Sequence, residues 1–482
     1  MKEKIKSHWL ILVILAFAQF MVVLDSSVVN VALPHIQRTF SLSTSNLQWI
    51  ITAYTLTFGG FLLFGGRAAD LYGRKKIFLI GVVFFGLMSL IDGFSRSGGM
   101  LIGSRILQGL GAAFMSPAAL SIVLTKYREG HSRNIALSVW GAVASGGAAA
   151  GVLLGGILTQ YYGWRWNFFI NVPISILIFI IAYKIVPSHD AEENNNTIDI
   201  AGAVSVTISM LSLVYGLTQG PTYGWLSLST LPFFGITIVG LIFFYFNENR
   251  QKHPLLPLNI FKNKNLTGAN LTIFPVVASV YALFFFLSLY IQNILGYSPV
   301  KTGLSFLIVP IAIIVAATQI PKIIKIFGSK YVLIGGIVLI AIALINLTRL
   351  PIHSNYLTNI LPSLIILGLG AGASFVSGTI IATSGVEEHK SGLASGILNT
   401  SQQIGGSVGL AILTGVTSSY ALKIAKHLPK NINPQSIPIY IAVHSYRDAF
   451  AAGAIIAIIG IILAFILIKN TRTEKTEKII IG

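Results

Sequence analysis

Two charged residues, Asp25 and Arg105, stand deep inside long apolar stretches of this 482-residue chain. Together they could hold or pass a proton beside a fixed cation. An isolated charge at the centre of a bilayer costs about 2.5–3.5 kcal/mol on insertion scales, so such residues pair with one another or face a cavity. Counted along helices at about 1.5 Å per residue, Asp25 lies about 12 Å and Arg105 about 9 Å below the same membrane face, close enough in depth to interact. Two readings stand side by side. In one, the pair only staples two helices together; in the other, Asp25 exchanges a proton as its surroundings alternate between dry and wet, with Arg105 as counter-ion. Asp92, near the end of another apolar stretch, has Arg96 four residues on, and an exposed i,i+4 ion pair is expected there in preference to a cation-attracting site.

Uncharged polar residues inside apolar stretches form a second group. Asn30, Gln48, Tyr54, Gln108, Tyr281, Asn399 and Gln403, with Gln402 beside the last, are candidates to line a central cavity, and hydrogen bonding between helices is the alternative role for the amides. The run Phe284-Phe285-Phe286 is compatible with lipid or with ligand contact.

The elements that must position these groups are membrane helices. Hydrophobic residues make up 54% of the chain and charged residues only 10%, with mean hydropathy +0.78, whereas a soluble domain carries roughly a quarter charged residues. Apolar stretches of the length that spans hydrocarbon fall near 9–33, 46–66, 77–95, 99–124, 135–159, 166–186, 200–218, 229–246, 266–291, 302–320, 331–349, 358–383, 391–419 and 448–468, fourteen in all. The length of the first, its Asp25 and its lack of a small-residue cleavage site favour an uncleaved helix over a signal peptide. The net charge of +18 is scattered in short clusters between spans, a topology signal and not a nucleic-acid patch. With a cytoplasmic N-terminus, 23 of the 33 Lys and Arg fall on inner segments and nine on outer ones, Arg105 being inside a span. Both termini are therefore expected in the cytoplasm.

The turn from Gly65 to Lys76 concentrates polar residues between two spans. Gly65 and Gly66 permit close helix packing, Gly73 permits a reversal, and Asp70 is placed to cap a helix or pair with Arg74. The chain also repeats itself. Arg133-Asn-Ile-Ala-Leu-Ser leads into a span carrying Gly141, Gly147, Gly151 and Gly155, and Lys390-Ser-Gly-Leu-Ala-Ser leads into one carrying Gly396, Gly405 and Gly409. Each is the fifth helix of a six-helix half if the spans at 200–246 are an insertion. The expected division is 1–186, a first half; 187–265, an inserted two-helix segment with flanking cytoplasmic linkers; and 266–482, a second half.

Leu24-Asp25-Ser-Ser-Val-Val-Asn30-Val-Ala-Leu-Pro34, the turn at 65–76, Arg105-Ile-Leu-Gln108-Gly109-Leu-Gly111, Gly163-Trp-Arg165-Trp-Asn-Phe-Phe-Ile-Asn171-Val-Pro173 and the fourteen spans together resemble the major facilitator superfamily, in its drug:proton antiporter branch with fourteen transmembrane helices. The likeness covers nearly the whole chain and is sharpest over residues 24–173. The second half echoes the basic turn only as Gly328-Ser329-Lys330. The resemblance implies an all-α polytopic protein of the cytoplasmic (inner) membrane that exports lipophilic or cationic compounds in exchange for protons, with Asp25 and Arg105 in proton coupling and Gly66, Arg67, Asp70, Gly73, Arg74 and Lys75 in a gating loop. One departure stands out: where the family carries prolines on the fifth helix, this chain has Ala148 and Val152. A straighter fifth helix is expected, with its Gly147, Gly151 and Gly155 stripe packed on the second helix of the other half, near 302–320.

Other chemistries find little purchase. The chain holds no Gly-x-x-x-x-Gly-Lys-Ser/Thr phosphate loop, no Cys, and nine His that all lie in loops or near span ends, so no cofactor, metal or ATP site is expected. The expected partners are a small-molecule substrate, protons and membrane lipids, without nucleic acid, and the expected state is a monomer. A transporter of one specific metabolite or antibiotic is the alternative on the same scaffold, and a non-transporting membrane protein a further one.

Overall fold

Each apolar stretch of the sequence forms a helix. The computed structural model describes residues 2–127, 131–187, 199–387, 391–428 and 433–469. Among them, fourteen helical segments are long and apolar enough to cross a membrane: α1 (Trp9–Phe40), α2 (Thr44–Tyr72), α3 (Arg74–Gly93), α4 (Gly98–Lys126), α5 (Ile135–Tyr161), α6 (Trp166–Ile185), α7 (Ile200–Tyr223), α8 (Leu231–Arg250), α9 (Lys264–Ile294), α10 (Pro299–Phe327), α11 (Ser329–Leu347), α12 (Tyr356–Thr383), α13 (Gly392–Lys426) and α14 (Pro434–Leu467). The first helix runs on beyond Leu33 to Phe40 with Pro34 inside it, because one missing N–H costs less than unwinding a segment whose Ile36 is fully buried. The linker expected at 187–199 lies almost wholly outside the described residues.

The first six and last six helices pair in the same pattern. α1 packs on α5, α2 on α4, and α3 on both α4 and α6; α9 packs on α13, α10 on α12, and α11 on both α12 and α14. The correspondence extends to the short turns. Gly73, between α2 and α3, has φ +94°, and Gly328, between α10 and α11, has φ +85°, a region in which any side chain is strained.

The two groups meet along α1–α9, α2–α13 and α5–α10. The inserted helices stand outside this arrangement: α7 lies across the α2–α13 seam and α8 packs on α7. Gln48, expected to line a cavity, is instead fully buried in that seam. Its Nε2 donates to Thr218 Oγ1 on α7 at 2.7 Å, and its Oε1 accepts from Thr414 Oγ1 on α13 at 2.8 Å. One amide thus joins three helices, each bond of this kind being worth about 0.6 kcal/mol in a membrane protein.

The fifth helix is one continuous α-helix over His131–Tyr161, but its glycine stripe faces a different neighbour from the one expected. A Cβ on Gly147 would meet Phe20 and Val23, one on Gly151 would meet Ser27 and Leu24, and one on Gly155 would meet Val28, all on α1 of the same helix group. The contact with α10 is made by the next face of the helix. Gly303 abuts the Val152 carbonyl, and a Cβ on Gly156 would lie 2.6 Å from the Pro299 carbonyl. Residues 147, 151 and 155 share one face, while 152 and 156 follow each by one residue, about 100° further round. The fifth helix does meet α10, but the stripe expected to make that contact packs on α1 instead.

Candidate functional site

The two intramembrane charges meet. Asp25, on α1, has no exposed surface and Arg105, on α4, has 1%. Arg105 Nη1 donates to Asp25 Oδ2 at 2.5 Å and to Gln108 Oε1 at 2.6 Å, and its Nε donates to the Ile50 carbonyl on α2 at 3.0 Å. The guanidinium carbon lies 4.2 Å from the centre of the Tyr54 ring, and the Phe168 ring is 5.8 Å away on a third helix segment. The other carboxylate oxygen, Asp25 Oδ1, accepts from Gln108 Nε2 at 3.1 Å and from Asn171 Nδ2 at 2.8 Å. Asn171 also donates to Ser89 Oγ at 3.0 Å, and Ser89 donates to the Phe168 carbonyl at 2.9 Å. The carboxylate is thus caged by three donors from two helices, on an ion pair fixed against a backbone carbonyl and an aromatic face.

Local sequence explains why the cage forms. Asp25 faces α4 and α6 because α1 is held on α5 by the glycine contacts just described, and Gln108 follows Arg105 by three residues, so both project from the same side of α4. Asn171 lies near the start of α6, three residues beyond Phe168. In the sequence Asn171 stands out only as part of a motif, and Ser89 does not stand out at all. The available signal was a carboxamide and a hydroxyl placed inside otherwise apolar runs.

The remaining candidates scatter. Tyr54 and Gln108 belong to the cage. Asn30 is partly buried, bonded to the Ser26 carbonyl of its own helix, and its backbone carbonyl accepts from Ser288 on α9 at 2.7 Å. Tyr281 and Gln403 face each other at 3.5 Å between α9 and α13. Asn399 is exposed. Phe285 and Phe286 are fully buried in the core and Phe284 packs on Phe306, its ring centre 5.4 Å away. Asp92 is not the exposed partner of Arg96. It is fully buried, and because α3 ends at Gly93, Arg96 leaves the helix and no i,i+4 geometry exists; Ser104 Oγ lies 2.5 Å from Asp92 Oδ1.

In the basic turn, Arg74 Nη2 and Asp70 Oδ1 are 3.0 Å apart, half-exposed. Gly66 and Arg67 are partly buried, and Lys75 Nζ donates to the Tyr183 carbonyl at 2.8 Å. A cavity of about 200 Å³ opens between α2, α4 and α7, lined by Thr57, Phe61, Leu107, Val204, Ile208 and Leu211. Another of about 320 Å³ includes Arg349 and Asn359. Neither takes in Asp25.

Between described residues, the hydrogen bonds that join the first six helices to the last six cluster toward the α1–α2 end of the bundle. Besides the Gln48–Thr414 and Asn30–Ser288 bonds, they link Arg38 to Asn293 at 2.7 Å, the Val31 carbonyl to Gln292 at 2.9 Å, Ser45 to Ser418 at 2.9 Å and Gln160 Oε1 to the Val300 amide at 3.2 Å. The deepest such bond joins Thr55 to Ser407 at 2.5 Å.

Comparison with known proteins agrees with this architecture. The chain is 35% identical to the puromycin resistance protein pur8 of Streptomyces alboniger, over 98% of this chain and 93% of that one. It is 35% identical to the cephamycin export protein CmcT of Amycolatopsis lactamdurans, over 85% of each. Among solved structures, a bacterial homologue of the human lysosomal transporter Spinster, in an inward-facing and unoccupied conformation, superposes with a TM-score of 0.68 at 16% identity, covering 95% of this chain and 96% of that one. The sequence model of the Major Facilitator Superfamily matches residues 15–410. The chain belongs to the Major Facilitator Superfamily, and it is a transporter and not an enzyme.

Proposed function

We propose that this protein exports lipophilic or cationic antibiotics and toxic compounds across the cytoplasmic membrane in exchange for protons, by alternating access between two six-helix halves, residues 1–186 and 266–482, with 187–265 an insertion. The observation that carries it is the Asp25 cage: a fully buried carboxylate fixed by Arg105, Gln108 and Asn171 inside a single half. A conformational cycle that withdraws these donors or admits water changes the surroundings of this carboxylate, which is what coupling to protons requires. The distribution of Lys and Arg supports a cytoplasmic location for both termini and for the turn at 65–76. With that orientation, the bonds from Arg38, Ser45 and Gln160 hold the outer side closed. The relatives named for export of, or resistance to, an antibiotic support the substrate class. Because those names each cite a single compound, export of one antibiotic is the second reading.

The test is efflux from everted vesicles under an imposed pH gradient, with a panel of fluorescent cations and antibiotics, by the parent protein and Asp25→Asn. Gradient-driven export is expected in the parent and lost in the variant. Undiminished export by Asp25→Asn refutes proton coupling through this residue, and movement of one compound alone selects the second reading.

A further inference from the structure

A second carboxyl is buried in the same helix group and takes no part in the Asp25 cage. Asp92 lies one residue before the end of α3, on the side read above as outer, with no exposed surface. Among the described residues no cation forms an ion pair with it. Arg105, on α4, commits its Nε and Nη1 to Ile50, Asp25 and Gln108. Arg165, ahead of α6, donates to the Ser95 carbonyl at 3.1 Å, and Arg96 is exposed beyond the helix end. From α1 the facing charged group is another acid, Asp25. The two ion pairs among the described residues are Asp70–Arg74 and Asp25–Arg105, and Asp92 Oδ2 has no hydrogen-bond partner.

The Ser104 hydroxyl has more acceptors within reach than hydrogens. Its single hydroxyl hydrogen faces three oxygens: the Met100 carbonyl at 2.9 Å, the Leu101 carbonyl at 3.1 Å and Asp92 Oδ1 at 2.5 Å. Carbonyls only accept. If Asp92 carries a proton, it donates to Ser104 Oγ while the serine hydrogen goes to its own helix, so both the shortest contact and a carbonyl contact become hydrogen bonds. If Asp92 is ionised, the serine hydrogen goes to the carboxylate and the charge is buried without an ion pair of its own. Ser89, one turn earlier on α3, is tied through Asn171 to Asp25, so the bonded chain from Asp25 reaches α3 within one turn of Asp92.

We propose that Asp92 is a second proton-carrying carboxyl of the exchange cycle, placed between the outer face and Asp25. It rests on the proton-exchange reading above. When the outer side opens, the O–H bond on Asp92 breaks and an O–H bond forms on the Asp25 carboxylate, through water admitted at that face; the Asp92 carboxylate then takes a proton from outer hydronium.

Infrared spectra of purified protein and gradient-driven efflux from vesicles test this together. A protonated-carboxyl C=O band is expected at neutral pH, lost in Asp92→Asn and kept in Asp25→Asn. Asn can donate to Ser104 as the protonated acid does, so the variant keeps the local bonds. Asp92→Asn is also expected to lose the acceleration of export by acid on the outer face. If the band is unchanged in Asp92→Asn, the carboxyl is ionised and the proposal falls. If the band is lost but the pH profile of export is that of the parent, Asp92 is a neutral structural acid and the proposal also falls. Gradient-driven export by Asp25→Asn overturns the coupling reading instead, so the two failures are distinguishable.

Discussion

Lys75 and Lys330 make the same bond in the two repeats. Lys75 Nζ donates to the Tyr183 carbonyl at 2.8 Å and Lys330 Nζ to the Phe465 carbonyl at 2.7 Å, each lysine two residues beyond a glycine of positive φ and each carbonyl in the last turn of the sixth helix of its group. Those carbonyls have no partner within their own helix, and the cation sits at the negative end of the helix dipole. The second repeat has lost the acid and arginine of the first turn but kept the residue that ties its third helix to its sixth.

Lys330→Met is accordingly expected to destabilise the second helix group by about 1 kcal/mol, read as a lowered thermal midpoint in detergent, while Lys330→Arg restores it. An unchanged midpoint in Lys330→Met means that this bond is ornamental.

The Asp25 cage makes an amide a poor substitute. Asn in place of Asp25 can turn its oxygen toward Arg105 or toward Gln108 and Asn171, and either way a donor meets a donor. Removing one partner of a buried pair costs about 3–5 kcal/mol, so Asp25→Asn and Arg105→Ala should both lower the thermal midpoint as well as coupling. Asn171→Leu removes one donor and keeps the ion pair; it should lower stability less and move the pH at which export is half-maximal. A parental pH profile in Asn171→Leu would show that Asn171 does not tune the acid.

Gly303 and Gly156 mark the seam between the groups, and Gly151 marks the seat of α1. Gly303→Val should push α10 off the Val152 carbonyl and raise proton leak through the closed transporter. Gly151→Val should instead displace α1 and its Asp25, abolishing coupling at unchanged leak. Proton flux into vesicles, measured without substrate, separates them. Equal leak in both variants contradicts this assignment of faces.

Asp70 and Arg74 form a half-exposed i,i+4 pair worth about 0.3–0.5 kcal/mol as it stands. Its proposed role is to close the cytoplasmic side when the outer side opens, through bonds this conformation does not make. Asp70→Asn should then shift the population toward the outer-closed state and slow turnover, with the same compounds recognised. Cysteine labelling from the two faces reads that shift, and identical labelling in variant and parent would remove the turn from the gate.

The number of helices, their order and the place of Asp25 and Arg105 inside spans were determined by sequence alone, because a bilayer requires each span to be a helix of about 20 apolar residues or more and makes every buried charge conspicuous. The reversal at Gly73 was legible for a similar reason: a polar turn between two spans has few conformations. Which face of α5 meets which neighbour was decided by tertiary structure, since Gly147, Gly151 and Gly155 make a smooth stripe that fits α1 as well as α10. Gln48 shows the same limit, for an amide inside a span reads alike whether it lines a cavity or joins three helices. Asp92 was misjudged because its local neighbour Arg96 offered an i,i+4 partner along the chain. The end of α3 at Gly93 and the approach of Ser104 from α4 bury it without one, and both depend on packing between helices that sequence spacing does not encode.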